Sequence, residues 1–155
     1  MCSSDLYETE LTTNRLARYV GAWRGAELLG FGGIWLMVDE AHVTTIAVSP
    51  ALRGGGLGTA LMLELLQEAR RGGARVATLD VRVSNEEAQR LYARLGFAVA
   101  GRRIRYYEES GEDAIIMTTA EMMVETAWET NSFTESTSDV RFVSSIAGVM
   151  PSTYA

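Results

Sequence analysis

Four glycines fall within five positions at Gly54, Gly55, Gly56 and Gly58, in the run Val48-Ser-Pro-Ala-Leu-Arg-Gly-Gly-Gly-Leu-Gly-Thr-Ala-Leu61. Glycine has no Cβ, so its backbone can turn N–H groups toward a single point. A helix starting at Leu57 would add the partial positive charge of its N-terminus there, roughly half an elementary charge. Backbone donors plus a helix N-terminus suit a pyrophosphate, and Arg53 stands beside them. The plain alternative is a flexible loop at a helix start. Known nucleotide loops fit poorly. A Walker loop needs Gly-Lys-Ser/Thr, and the chain has no lysine. A dinucleotide fingerprint counted from Gly54 and Gly56 needs a third glycine where Thr59 stands. Asp39-Glu40-Ala41-His42 spells a helicase box, but nothing around it supports ATP binding.

Absent residue types limit the remaining chemistry. All 14 basic residues are arginine, and there is one histidine, His42, and one cysteine, Cys2. A lysine Schiff base is therefore excluded. One His and one Cys cannot build a Cys/His zinc site, and no metal is expected. A single cysteine closes no intrachain disulfide, which fits a reducing compartment. Acid–base work falls to carboxylates, tyrosines, His42 or an amine brought by the substrate. His42 reads as a packed strand residue, and Cys2 sits too near a terminus to suggest a nucleophile.

The net charge is −6, which argues against a mainly electrostatic nucleic-acid binder. Residues 1–118 sum to −2 and residues 119–155 to −4. No apolar run reaches the roughly 18–20 residues of a membrane span. No signal peptide is visible. The expectation is a soluble cytoplasmic protein without nucleic-acid or membrane partners.

These residues need a scaffold to place them. Residues 5–17 read as a short helix. Tyr19–Trp23, Glu27–Val38 and His42–Val48 read as an antiparallel meander turning at Arg24-Gly25-Ala26 and Asp39-Glu40. Gly30, Gly32 and Gly33 suggest a bulge or a close backbone approach. Leu57–Arg71 is a helix, with Leu57, Leu61, Leu65 and Ala69 recurring every four residues. Arg75–Val83 alternates as a half-buried strand. Ser84-Asn85-Glu86-Glu87 reads as a capping box that opens a helix through Leu95, its Ala88, Leu91, Tyr92 and Leu95 on one face. Phe97–Tyr107 and Ala114–Thr119 are further strands. A parallel strand–helix–strand unit spans 42–83 within a mostly antiparallel sheet. Residues 119–155 read as an acidic Ser/Thr-rich extension, partly disordered. Ala120–Trp128 is a helix candidate in it, and Val140–Ile146 a strand candidate.

Arg53-x-x-Gly56-x-Gly58 resembles the acyl-CoA loop of the GNAT N-acetyltransferases. Asp80-Val-Arg-Val-Ser-Asn85 with Ala88-Gln-Arg-Leu-Tyr92-Ala-Arg-Leu-Gly-Phe97 resembles that family's second block. Asp39–Val48, Arg103–Tyr107 and Glu112–Met117 resemble more specifically the RimI-type ribosomal-protein alanine N-acetyltransferases. The likeness covers about residues 5–118. It implies an α/β (α+β) fold of GNAT type: a mixed, mostly antiparallel sheet flanked by helices, with a central β-α-β unit that binds acetyl-CoA.

The resemblance also implies direct acetyl transfer to a protein N-terminal α-amine, such as that of a ribosomal protein beginning with alanine. Ile46, Ala47, Val48, Arg53, Gly54, Gly55, Gly56, Leu57, Gly58, Thr59 and Asn85 would hold the cofactor, with a role at the helix start also open to Asn85. The 42–48 strand end would offer an N–H to the thioester carbonyl. Relatives place a glutamate, taken as the base, where this chain has Asp80, roughly 1.5 Å shorter in reach; a bridging water would restore contact. Asp80 reads alternatively as a solvated strand residue paired with Arg82. Tyr92 matches the general acid, or packs on its helix. Glu40, Tyr106 and Tyr107 would line the peptide groove, or serve as a turn acid and hairpin aromatics.

The chain departs from the family at both ends. The family pattern has a strand and a helix ahead of the segment matched by residues 5–17, which suggests a short, less active member. Val140–Ile146 could then occupy the sheet edge the missing strand leaves. Two other functions fit the same residues: acetylation of small amines, and acyl-CoA binding with little catalysis.

Overall fold

The computed structural model describes residues 17–120 and 139–146. The helix expected over 5–17 lies outside them except for Ala17, which opens the first strand instead. The helix candidate at Ala120–Trp128 lies outside them except for Ala120.

The expected meander is present as β1 (Ala17–Arg24), β2 (Glu27–Met37) and β3 (Glu40–Val48). Its first turn uses Gly25 at φ 58, a left-handed conformation open to glycine. The second turn falls one residue earlier than expected, at Val38-Asp39, because Glu40 already pairs with Met37. Then come α1 (Leu57–Arg71), β4 (Val76–Arg82), α2 (Glu86–Arg94), β5 (Phe97–Tyr107) and β6 (Glu112–Thr119). β7 (Val140–Ile146) completes a seven-stranded sheet of order β5-β6-β4-β3-β2-β1-β7. Its one parallel pairing is β3 with β4, the ends of the strand–helix–strand unit. Every other pairing is antiparallel.

The core forms where α1 lies on the sheet. Leu57, Leu61, Leu65 and Ala69 are buried with Met62 and Leu66 against Val20, Ile34, Val43, Leu79 and Phe97. Each fully buried aliphatic side chain contributes roughly 1.5–3 kcal/mol. The β2 glycines bring the helix close. A Cβ on Gly32 would stand 2.5 Å from Leu65 Cδ1, and one on Gly30 would stand 2.7 Å from the Ala47 carbonyl oxygen.

The bulge expected in β2 falls at Leu29, beside Gly30, because Ala22 pairs with Gly30 and Trp23 with Leu28. A second bulge lies in β3. Gly33 pairs with Thr45 and Ile34 with Val43, so Thr44 is an extra residue in β3. Such an insertion bends and twists its strand. Pairing between β3 and β4 stops at Val43 and Leu79, although β3 continues to Val48 and β4 to Arg82. The two central strands therefore part, and the wedge between them opens toward the glycine loop.

At the far side, β7 pairs with β1 from Arg24↔Val140 to Arg18↔Ile146. Val140 and Phe142 pack against the core, and Asp139 meets Arg24 at 2.9 Å. The C-terminal strand thus joins the sheet at the β1 edge. Among the described residues, no helix is long and apolar enough to cross a membrane.

Candidate active site

One wall of the site follows from the glycine loop. After β3, Pro50–Leu52 forms a single tight turn. Gly54 and Gly56 take φ 83 and 92, and Gly56 caps α1. The first bond closing that turn runs from the Ala60 N–H to the Gly56 carbonyl at 3.0 Å. The amides of Leu57, Gly58 and Thr59 precede it and have no intrahelical acceptor. A Cβ on Gly58 would meet nothing nearer than 3.9 Å, so an incoming group has free approach. Leu57, expected at the cofactor, buries its side chain in the core and offers only its backbone there.

These amides open on a cleft of about 1050 Å³. Ile46, Ala47 and Val48 line it from β3, past the point where pairing to β4 ends. Arg53, Gly54, Gly55, Gly56, Gly58 and Thr59 line it from the loop and α1, and Asn85 and Tyr92 from α2. Of the expected cofactor residues, only Leu57 is turned away from this cleft. Leu52, Glu87, Ala88, Leu91 and Arg94 also line it, and the sequence reading did not single them out for the cofactor.

The opposite wall, α2, is held at its start by side chains. Asn85 is the N-cap, its Oδ1 accepting the Ala88 N–H at 3.2 Å. This corrects the expected capping box, because Ser84 lies one residue too early. The Ser84 N–H instead donates to Glu112 Oε1 at 2.8 Å. Gln89 Nε2 donates to the carbonyls of Arg82 and Val83, both at 3.0 Å, and so ties α2 to the end of β4. Tyr92 follows one turn later, tilted against Phe97 with centroids 6.0 Å apart. Burial pushes its hydroxyl pKa up, and Tyr107 adds to the effect.

Asp80 sits on β4 just past the last β3–β4 pair. The alternative reading, a solvated strand residue paired with Arg82, does not hold. Its side chain is 9% exposed. Arg103 Nε donates to its Oδ1 at 3.2 Å, while His42 Nε2 stands 3.7 Å from Oδ2, beyond direct hydrogen-bond length. The parallel register sets His42 opposite Thr78, so with period-two alternation Asp80 lies on the same face. Periodicity showed the parity, but only the β3–β4 pairing makes the two residues neighbours. Arg82 instead pairs with Glu109 at 2.7 Å and Glu112 at 3.3 Å.

Arg82 also lies over the Tyr107 ring, 3.9 Å from its centroid. Burial raises the Tyr107 pKa, Arg82 opposes that rise, and the Asp80 charge adds to it. Tyr107 is thus influenced by Asp80 and in turn influences Tyr92. Tyr106 stands edge-on to Tyr107 and is largely exposed. Between them and the strand start, Arg105 takes φ 51, and its N–H donates to Asp113 Oδ1 at 2.8 Å. Glu40 opens β3 at the end remote from the glycine loop. Glu40, Tyr106, Tyr107 and Asp80 are not among the residues lining the main cleft.

This wedge and loop have a counterpart among known proteins. The model of the acetyltransferase (GNAT) family matches residues 2–97. The chain belongs to the GNAT acetyltransferase family. This GNAT chain is 39% identical over 115 residues to a Bacillus subtilis (strain 168) protein assigned as a ribosomal protein bS18-alanine N-acetyltransferase. That match covers 74% of this chain and 76% of the relative. It is 36% identical over 114 residues to the ribosomal protein bS18-alanine N-acetyltransferase of Escherichia coli K12, covering 71% and 77%. The crystal structure of the ribosomal-protein-S18-alanine N-acetyltransferase from Escherichia coli superposes with a TM-score of 0.65 at 30% identity, covering 81% and 80%.

The protein is an N-acetyltransferase that uses acetyl-CoA. The site suits that cosubstrate. Free amides at the start of α1 match a pyrophosphate, the open face of Gly58 admits it, and the unpaired edge of β3 offers donors to an extended amide-bearing arm.

Proposed function

We propose that this GNAT enzyme acetylates the N-terminal α-amine of a ribosomal protein that begins with alanine. Its identity with relatives named for that reaction, over more than two thirds of each chain, carries the reading. A substrate of this kind goes with a cytoplasmic setting.

Acetyl-CoA supplies the acetyl group as a thioester. Gly54–Gly58, Arg53 and Thr59 bind its phosphates, while Ile46, Ala47, Val48 and Asn85 bind its arm. An N–H at the end of β3 polarises the thioester carbonyl. Asp80, held by Arg103 and backed by His42, takes the proton from the attacking amine directly or through one water. Tyr92 gives its proton to the departing thiolate, and its raised pKa keeps that proton in place at neutral pH. One C–N bond forms and one C–S bond breaks, with no acyl-enzyme. Tyr106 and Tyr107 hold the peptide near Asp80, and Glu40 meets it farther along β3.

The test is intact-mass measurement after incubation with acetyl-CoA and the N-terminal peptide of the ribosomal protein. A gain of one acetyl group on the alanine amine is expected. Transfer only to a panel of small amines would replace this reading with a small-amine acetyltransferase. Tight CoA binding with no transfer to any amine would leave a binding module.

A further inference from the structure

A second recess, of about 210 Å³, lies beside the main cleft. It shares Leu52, Arg53 and Gly55 with that cleft and adds Arg24, Leu29, Ala51 and Leu57. Three distant parts of the chain meet here for a topological reason. β1 runs toward the end of the sheet where β2 begins, and β3 returns to that end, with the Ser49 N–H on the Leu29 carbonyl at 2.9 Å. β7 is antiparallel to β1 and starts opposite Arg24. The β1–β2 hairpin, the glycine loop and Asp139 therefore share one end of the molecule.

Two guanidinium groups, Arg24 and Arg53, line a recess whose other side chains are mostly leucine. Arg24 now meets Asp139 at 2.9 Å, with side chains 42% and 59% exposed. An ion pair so exposed contributes little and is readily exchanged. A phosphate monoester offers more charge and three acceptor oxygens, and guanidinium binds it in two-pronged fashion.

The direction of the bound cofactor selects the group. The pyrophosphate of CoA joins its arm to its nucleotide. If the loop amides take the pyrophosphate, the arm must run between β3 and α2 toward Tyr92. The nucleotide then leaves on the other side of the loop, where the recess lies. Its apolar floor suits a flat base, and its arginines suit the phosphate on the ribose.

We propose that Arg24 is a phosphate-binding residue of this site: with Arg53 it takes the phosphate monoester at the nucleotide end of CoA, and Asp139 holds it until the cofactor binds. The proposal rests on the acetyl-CoA assignment and not on the identity of the acceptor amine.

Calorimetric Kd values for CoA and 3′-dephospho-CoA on the full chain test it. The native protein should prefer CoA by about tenfold. Arg24→Gln should abolish that preference and leave 3′-dephospho-CoA binding unchanged. Asp139→Asn should tighten CoA severalfold, since it removes the competitor, and leave 3′-dephospho-CoA alone. Arg102→Gln, altering an arginine that lines neither recess and pairs with Asp113, should leave the preference intact. Equal loss for both ligands in Arg24→Gln, no loss for either, or loss of preference in Arg102→Gln would overturn the proposal. So would a native protein that does not distinguish the two ligands. A native protein that binds neither would overturn the cofactor assignment beneath the proposal, an outcome separate from loss of discrimination alone.

Discussion

In the proposed reaction Tyr92 gives a proton and Asp80 takes one, and each is held by different neighbours. Tyr92 is largely buried beside Phe97, which disfavours the phenolate. Asp80 accepts a hydrogen bond from Arg103 Nε at 3.2 Å, which fixes the orientation of its carboxyl group. Tyr92→Phe should lower kcat by about a hundredfold or more while the Kd for CoA stays near native. An unchanged kcat would remove Tyr92 from the acid role. The pH profile follows from the sign of the shift. The acid keeps its proton below its folded pKa, which lies above the ordinary value of about 10. Activity should therefore rise as the substrate amine loses its proton around pH 7.7–8.0 and fall only above the ordinary tyrosine range. At Asp80, the asparagine variant should lose about a hundredfold in kcat/KM. The glutamate variant should retain activity, since it restores the reach of the relatives' residue. Equal loss in both would argue that Asp80 shapes the site rather than moving a proton.

At the scale of elements, the glycines divide into two physical roles. Gly32 lies under α1, where a Cβ would stand 2.5 Å from Leu65 Cδ1. Gly32→Ala should lower stability by about 1–3 kcal/mol through overpacking. Gly58 sits in the first turn of α1, where a Cβ meets only ordinary contacts at 3.9 and 4.0 Å. Gly58→Ala should leave the melting temperature equal or raise it by about 2–4 °C, since alanine favours a helix by about 1 kcal/mol. The same change should weaken CoA at least tenfold by blocking approach to the amides. Melting curves and CoA titrations on both variants check this separation of stability from binding. Glu64 on α1 adds a pH effect. Burial raises its pKa, with Arg71 opposing and Glu68 adding. A carboxyl raised in the folded state contributes stability at low pH and loses it as pH rises through the folded value. Glu64→Gln should therefore raise the melting temperature at neutral pH and not below the ordinary glutamate range.

At the scale of the molecule, the site is a consequence of strands that stop pairing. The bulge at Thr44 falls next to the last β3–β4 pair, and past it the sheet opens into the wedge. At the other edge, β7 gives β1 a partner and lays Val140 and Phe142 against the core. Residues 17–118 and β7 are proposed to fold as one unit. Deleting residues 121–155 should lower the melting temperature by about 5–10 °C, from two half-buried apolar side chains worth about 2–4 kcal/mol together. Unchanged melting would count against β7 as part of that unit.

Much of this was determined by the sequence alone. The four-residue spacing of Leu57, Leu61, Leu65 and Ala69 defines α1, because only one face of a helix can reach the core. The glycines at 54–58 and Arg53 mark a phosphate loop by their freedom and charge, and the missing lysine excludes a Walker site. Alternation located β4 and the parity of Asp80. Local pattern cannot tell which strands become neighbours. The parallel register of β3 and β4 set His42 near Asp80, and the pairing of β5 with β6 and of β6 with β4 carried Arg103 to it. Strand parity alone offers Arg82, which turns instead to Glu109 and Glu112. The choice of Asn85 over Ser84 as the cap also depended on tertiary contact, since Glu112 from a distant hairpin took the Ser84 N–H. Spacing decides which face a residue occupies, while strand order and register decide what that face meets. Contacts between segments far apart in the chain belong to the tertiary structure.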